Sequence, residues 1–408
     1  MQIFPVGHVY NFMGRRRLLA LMSIVMIFGS FLLLVTPGPR LGTDFRGGTE
    51  IELAFKGSVS GTQIREAVGK GGFASPDVIA VRDPSNPHRF LIRVEEVSSI
   101  DAEKQQEVSR ALCFGSDVDE TACPKNARPL DVKFSPGGEK ITARYSEDPD
   151  LSALRKKLEP ISGIELREGD NPVLQNPRDH KVEFLLTSKG DQLMQALRTN
   201  LGTDLVPDAA LRVEWVGPKA GAQLRDSALK SIAIALVFVM VYIAFRFDLR
   251  FAPGAVLALV HDSIVTVGVL TALQKELNLS TVAALLTIVG YSVNDTVVVY
   301  DRVRENLGKL RGASFMKIIN TSLSEMLSRT VLTSMTTVLA LLAFFFWGTG
   351  TLKDFALTLI VGIVLGTYSS IYVALPLTNW LDRRFFSRPG AQARTRQRSP
   401  RKKAAAVV

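Results

Sequence analysis

Apolar residues gather in six long blocks, at 18–36, 228–245, 251–273, 279–300, 330–347 and 355–380. Each runs for roughly 18 to 26 residues, enough for a helix rising about 1.5 Å per residue to cross a hydrocarbon core of about 30 Å. Six such blocks predict an α-helical polytopic membrane protein with six transmembrane helices. Between the first two blocks the pattern changes. TEIELAF (49–55), FLIRV (90–94), KVEFLLT (181–187) and LRVEWVG (211–217) alternate with period two and predict half-buried strands. GTQIREAVGK (61–70), AEKQQEVSRALC (102–113), LSALRKKLE (151–159) and GDQLMQALRTNL (190–201) carry a helical period. The order β, α, β, β, α, β, roughly repeated over 139–216, predicts a large α+β domain between spans 1 and 2. It is expected to hold two ferredoxin-like split βαβ units, in tandem or with one interrupting the other.

Basic residues near span ends are retained in the cytoplasm, so they orient the chain. Arg15, Arg16 and Arg17 precede the first block, and Arg246 and Arg250 follow the second. Six basic residues occupy the 301–329 loop and nine follow Asp382, whereas the two alternate loops hold only Lys275 and Lys353. The expected layout is a cytoplasmic N-terminus (1–17), span 1 (18–36), a periplasmic domain (37–225), a five-span bundle (228–380) and a cytoplasmic tail (381–408). Both termini then lie inside a bacterial inner (cytoplasmic) membrane. The first block has the charged start of a signal peptide but ends in TPGPR without a small-x-small cleavage site, which predicts an uncleaved anchor.

The net charge of +10 is concentrated in Arg383–Val408 of that tail, which has nine of the 49 basic residues and no acid. Lacking apolar periodicity, it is expected to be disordered and to lie near anionic lipid headgroups, at roughly 1 kcal/mol per charge. Membrane lipids, not nucleic acid, are its expected partner. Cys113 and Cys123 are the chain's two cysteines. On an oxidising side, and without the second ligand pair of a zinc site, they predict a disulfide; no metal or cofactor is expected.

Polar residues inside the apolar blocks carry the candidate chemistry. His261 and Asp262 sit at the middle of the third block, and Asn294 and Asp295 lie about one turn from the centre of the fourth. A carboxylate at such depth costs roughly 2.5–3.5 kcal/mol, so a partner or a function is expected. Arg329, opening the fifth block, is the candidate partner of Asp295. Thr287, Tyr291 and Asn294 form one polar stripe and Arg329, Thr333, Thr336 and Thr337 another, expected to face each other or a wet seam. Gly362-x-x-x-Gly366 is a helix-packing signature in the sixth block. The two polar faces and this glycine-bearing last span are expected to require a second helical bundle.

G-x-x-x-x-G-K-[ST], H-E-x-x-H and G-x-S-x-G are all missing, so no enzyme is expected. An intramembrane Asp can instead carry a proton, whose passage releases about 2.3 kcal/mol per 100 mV. An Arg that pairs with the bare carboxylate but not the protonated one would turn titration into helix movement. An intramembrane aspartyl protease would also use two carboxylates, Asp262 and Asp295, but the G-x-G-D it needs is replaced by YSVND.

VGYSVNDTVVVYDRVREN, LGTDFRGGTEIE, VGPKAGAQL, RFDLRFAPGAVLALVHD and LSRTVLTSMTTVLALLAFF together resemble the SecF family of the bacterial Sec protein-export translocase, a SecD/SecF group within the resistance-nodulation-division superfamily. The resemblance implies a proton-gradient-driven accessory subunit that works with SecD and the SecYEG channel on preprotein substrates. It carries the proton pathway onto Asp295 and Arg329, with Asp262 as helper and Asn294 beside them. Half of a small-molecule exporter of the same superfamily is the alternative. The domain between spans 1 and 2 is nearly twice the family's usual length, and the extra stretch, about 113–178, has no role by analogy.

Overall fold

The structure, a computed structural model, describes residues 4–5, 8–81, 86–98, 100, 102–115, 123, 125–135, 137–167, 171–247, 250–348 and 350–386. The basic tail beyond Phe386 lies outside the described residues. Two compact units emerge: Leu41–Asp226, and a second made of Met1–Arg40 with Ser227–Val408.

The chain enters through α1 (Arg16–Val35), a two-residue strand β1 (Arg40–Leu41) and one turn of helix, α2 (Thr43–Arg46). Then follow β2 (Gly48–Ala54), α3 (Gly61–Lys70), β3 (Asp77–Ala80), β4 (Arg89–Val94), α4 (Ala102–Ala111), β5 (Asp131–Phe134), β6 (Lys140–Arg144), α5 (Leu151–Leu158), β7 (Val173–Asn176), β8 (Lys181–Leu185), α6 (Lys189–Leu201) and β9 (Arg212–Val216).

Two antiparallel sheets result, in the orders β3-β4-β2-β9 and β5-β6-β8-β7. The first, with α3 and α6 on one face, has the ferredoxin-like layout. It is interrupted between β4 and α6 by the second, so of the two arrangements the pattern allowed, interruption is the one adopted. The interrupting unit runs α4-β5-β6-α5-β7-β8, the same layout with its first strand moved to the end. Apolar side chains at alternate positions build each core: Ile51, Leu53, Ile92 and Val94 meet Ile64, Val68, Leu193 and Leu197 in one. Ile141, Ala143, Val182 and Phe184 meet Val108, Leu154 and Leu158 in the other. Ser60 with Gln63 and Ser188 with Asp191 form capping boxes that start α3 and α6. Cys113 and Cys123 are disulfide-bonded beside the second core.

The membrane unit holds α1, α7 (Pro218–Arg246), α8 (Ala252–Ala272), a two-residue strand β10 (Glu276–Leu277), α9 (Leu279–Lys309), α10 (Phe315–Trp347) and α11 (Gly350–Ser369). A π-helical turn, Ser370–Ala374, then leads into α12 (Leu375–Leu381). Among the described residues, six helical stretches are long and apolar enough to cross a membrane, the last running from Gly350 to Phe385.

The helices outrun the apolar blocks. The 301–329 stretch, expected as a loop, is helical except for Leu310–Ser314. Hydropathy marks where lipid contact ends, not where hydrogen bonding ends. Here Glu305 pairs with Arg302 and Lys309 on one helix, while Arg302 reaches Glu325 (2.6 Å) and Asn306 reaches Ser322 (3.0 Å) on the next. Ser314 then caps α10.

Gly362 and Gly366 lie against Ile288 and Ser292 of α9, close enough that a Cβ at Gly366 would meet the Ser292 Cβ at 3.1 Å. The small-residue motif thus closes the chain's own α9–α11 contact and presents no face to a second bundle, contrary to expectation.

Candidate functional site

α9, α10 and α11 pack together, and Asp295 is buried among them at 3% exposure. Its Oδ2 accepts from Ser334 Oγ of α10 at 3.5 Å and Thr367 Oγ1 of α11 at 3.4 Å. Both are long for hydroxyl-to-carboxylate bonds, so the charged form has little holding it.

Asp262 is also buried, at 1% exposure. Its Oδ2 accepts from Ser292 of α9 at 2.8 Å and Ser369 of α11 at 2.7 Å, and its Oδ1 lies 3.0 Å from His261 Nδ1. Helices α9 and α11 therefore each contribute one hydroxyl neighbour to Asp262, and both line the Asp295 site. On α9, Ser292 and Asp295 are one turn apart and both buried. On α11, Ser369 and Thr367 divide between the two acids.

The other expected residues are placed differently. Arg329 is exposed, and no ion pair joins it to Asp295 among the described residues. Asn294 is exposed, about 100° round α9 from the buried carboxylate. The two polar stripes meet at one point, where Tyr291 Oη and Thr337 Oγ1 are 3.3 Å apart. Thr287, Thr333 and Thr336 face outward and return their hydroxyls to their own helices. Cys113 and Cys123 belong to the α+β unit and take no part in this site. No cluster of His, Cys, Asp and Glu suited to a metal occurs among the described residues.

Sequence reasoning missed Ser292, Ser334, Thr367 and Ser369. The spacing of Ser292 to Asp295 was the available signal. The α10 and α11 partners had none, because which hydroxyl faces an acid depends on how helices rotate against each other.

Residues 32–59 match the SecD/SecF GG motif, and 199–384 match the C-terminal region of the protein export membrane protein SecD/SecF. The protein translocase subunit SecF of Magnetococcus marinus is 34% identical over 94% of this chain and 95% of its own length. The chain belongs to the SecF family. The protein translocase subunit SecDF of Thermus thermophilus is 40% identical over 61% of this chain. The crystal structure of SecDF from that organism, titled as a translocon-associated membrane protein, aligns at a TM-score of 0.63 and 27% identity over 94% of this chain. This chain spans 40% of the solved SecDF chain, and the aligned part is 34% of the curated one. SecF membership assigns the chain to Sec protein export, as a multi-pass protein of the bacterial inner membrane whose relatives are named as translocase subunits.

The glycine pair that names the GG motif has a steric cause here. Gly47 and Gly48 have φ of +81° and +121°, and a Cβ on Gly48 would sit 2.5 Å from the Val94 carbonyl oxygen. The pair lets the chain turn tightly from α2 into β2. There Thr43 and Arg93 bond Glu50, and Arg212 of β9 completes the cluster at 2.8 Å.

Proposed function

We propose that this SecF-family chain is a proton-gradient-driven subunit that works with SecD, beside the SecYEG channel, to assist preprotein export. Asp295 is the coupling residue, Arg329 its charge sensor, Asp262 a helper, and Asn294 part of the surface that adjoins the partner. The proposed orientation has both termini in the cytoplasm and the α+β unit in the periplasm.

The observation that carries this reading is the burial of Asp295 among three helices with only two long hydroxyl contacts. A carboxylate so placed stands ready to lose its charge to a proton, and α9, α10 and α11 all meet at it. The partner follows from the outward polar face. Asn294, Arg329, Thr333 and Thr336 are exposed along the spans, where a polar or charged side chain facing hydrocarbon is costly. A second bundle covering that face would remove the cost and bring a partner charge to Arg329. Relatives named SecDF, of which this chain spans a part, support SecD as that bundle.

The test is Asp295→Asn in vesicles holding this chain and SecD. Gradient-dependent preprotein export should fall to the level of vesicles lacking the chain, with insertion and disulfide formation intact. Unchanged export would overturn the reading.

A further inference from the structure

His261 has no part in the scheme above, yet its side chain is wholly buried beside Asp262. With Ser292 and Ser369 donating to Oδ2, an ionised Asp262 is a pure acceptor, and its remaining oxygen, 3.0 Å from His261 Nδ1, assigns the ring proton to Nδ1. That tautomer leaves His261 Nε2 bare, and Nε2 is fully buried with no hydrogen-bond partner among the described residues. A neutral imidazole beside a carboxylate is a buried net charge of one. One proton added at Nε2 turns the pair into imidazolium and carboxylate with no net charge, and keeps all three hydrogen bonds.

We propose that His261 and Asp262 form a single proton-binding unit, separate from Asp295, whose occupancy is passed to Asp295 through α9 and α11. The proposal deepens the proton-driven reading and rests on it only for what the bound proton does. The geometry of the relay is explicit. On α9, Ser292 bonds Asp262 one turn from Asp295; on α11, Ser369 bonds Asp262 and Thr367 bonds Asp295. A positive charge on His261 offsets the charge of the first acid and so weakens its pull on both serines, and each serine is fixed to a helix that also positions the second acid. Ser369 is the last residue before the π-helical turn, a form of helix that recurs at functional sites.

Few other charges bear on the pair. Among elements packed against α8, α9 brings Asp295, and α11 brings Tyr368, whose ring centroid is 6.2 Å from that of His261. The Tyr368 hydroxyl is engaged by Ser23 Oγ (2.9 Å) and Leu19 O (2.6 Å) of α1, which adds no charge there. The π turn brings Tyr372, whose ring is tilted against that of Tyr368 at 5.4 Å between centroids. α12 brings the uncharged Thr378 and Asn379, and β10 carries Glu276 at the far end of α8.

The test is solid-state nitrogen NMR of the full chain in lipid bilayers, with histidine labelled throughout. The chain has four histidines, and His261→Gln, or His261→Asn if the Gln chain fails to insert, assigns the resonance of interest. That resonance should pass from neutral imidazole to imidazolium as pH falls. Asp262→Asn should displace or abolish the transition, whereas Asp295→Asn should leave it in place. A His261 resonance that keeps one form throughout, or a transition indifferent to Asp262→Asn, would overturn the proposal. Neither result depends on export, so the Asp295→Asn export assay judges the proton-driven reading independently.

Discussion

The hydroxyls of Ser334 and Thr367 lie 2.8 Å apart, and both approach the same oxygen of Asp295. One hydroxyl comes from α10 and the other from α11, so a single carboxylate on α9 holds three helices at one point. Protonating Asp295 adds an O–H donor to this group and weakens both hydroxyl contacts, which changes the geometry that all three helices share.

Replacing both hydroxyls, Ser334→Ala with Thr367→Val, removes that link and keeps the titrating group. A hydrogen bond to a charged group contributes about 1.5–3 kcal/mol at good geometry, and two long ones together about 1 kcal/mol, or roughly fivefold in the equilibrium they bias. Gradient-dependent export at matched expression should fall by a factor of that order, while thermal unfolding of the chain changes little. Full export in the double variant would mean that the hydroxyls only fill space.

Arg329 offers a sharper comparison, because it is exposed and makes no ion pair with Asp295 in the isolated chain. A charge that serves only topology tolerates Lys; a charge that meets a partner through its planar fork does not. Arg329→Lys should insert normally yet lose about tenfold or more of export, the scale of a charged hydrogen bond worth about 1.5–3 kcal/mol. Arg329→Ala should lose at least as much. Full export by the Lys variant would reduce Arg329 to a topology anchor.

Gly366 tests whether the α9–α11 contact serves the site as well as the fold. A Cβ there would meet Ser292 at 3.1 Å, and a branched side chain would push α11 off α9. Gly366→Val should cost about 1–3 kcal/mol by overpacking, seen as a lower melting temperature in detergent. It should also impair export more than a substitution of equal cost placed away from Ser292. If the two behave alike at matched stability, the contact is packing alone.

These residues mark how far the sequence was legible. The blocks that span the membrane and strands β2, β4, β8 and β9 announce themselves, because hydropathy and alternation are local properties. β3, β5, β6 and β7 are only four or five residues long, too short for a local pattern to stand out. Asp295 and Asp262 were visible as costly acids in apolar surroundings. Their hydroxyl partners were not, since Ser and Thr are common in apolar helices and usually bond their own backbone, as Thr333 and Thr336 do. The expected pairing of Arg329 with Asp295 rested on depth along two helices; the charge of Arg329 does act on Asp295, but how the helices rotate decides contact, and no ion pair joins the two among the described residues.

The Glu50 cluster makes the stability of the α+β unit depend on pH in a stated direction. Burial by itself would raise the Glu50 carboxyl, but hydrogen bonds from Thr43 and Arg93 and the charges of Arg93 and Arg212 hold it below its ordinary value. A carboxyl lowered in the folded state contributes stability that is fully present above its unfolded value, about 4.3, and is lost as pH falls through the folded one. The unit should therefore hold its melting temperature at neutral pH and lose it on acidification below that value. Glu50→Gln keeps the shape and removes the charge, leaving the buried Arg93 without its main counterion at 2.7 Å. The expected cost is about 3–5 kcal/mol at neutral pH, the range for breaking a buried pair from one side. The acid-dependent part should shrink in the same variant, because the group responsible no longer titrates. Calorimetry of the full chain from neutral to acidic pH reads both effects, and a Glu50→Gln chain with the wild-type acid profile would show that another carboxylate sets it.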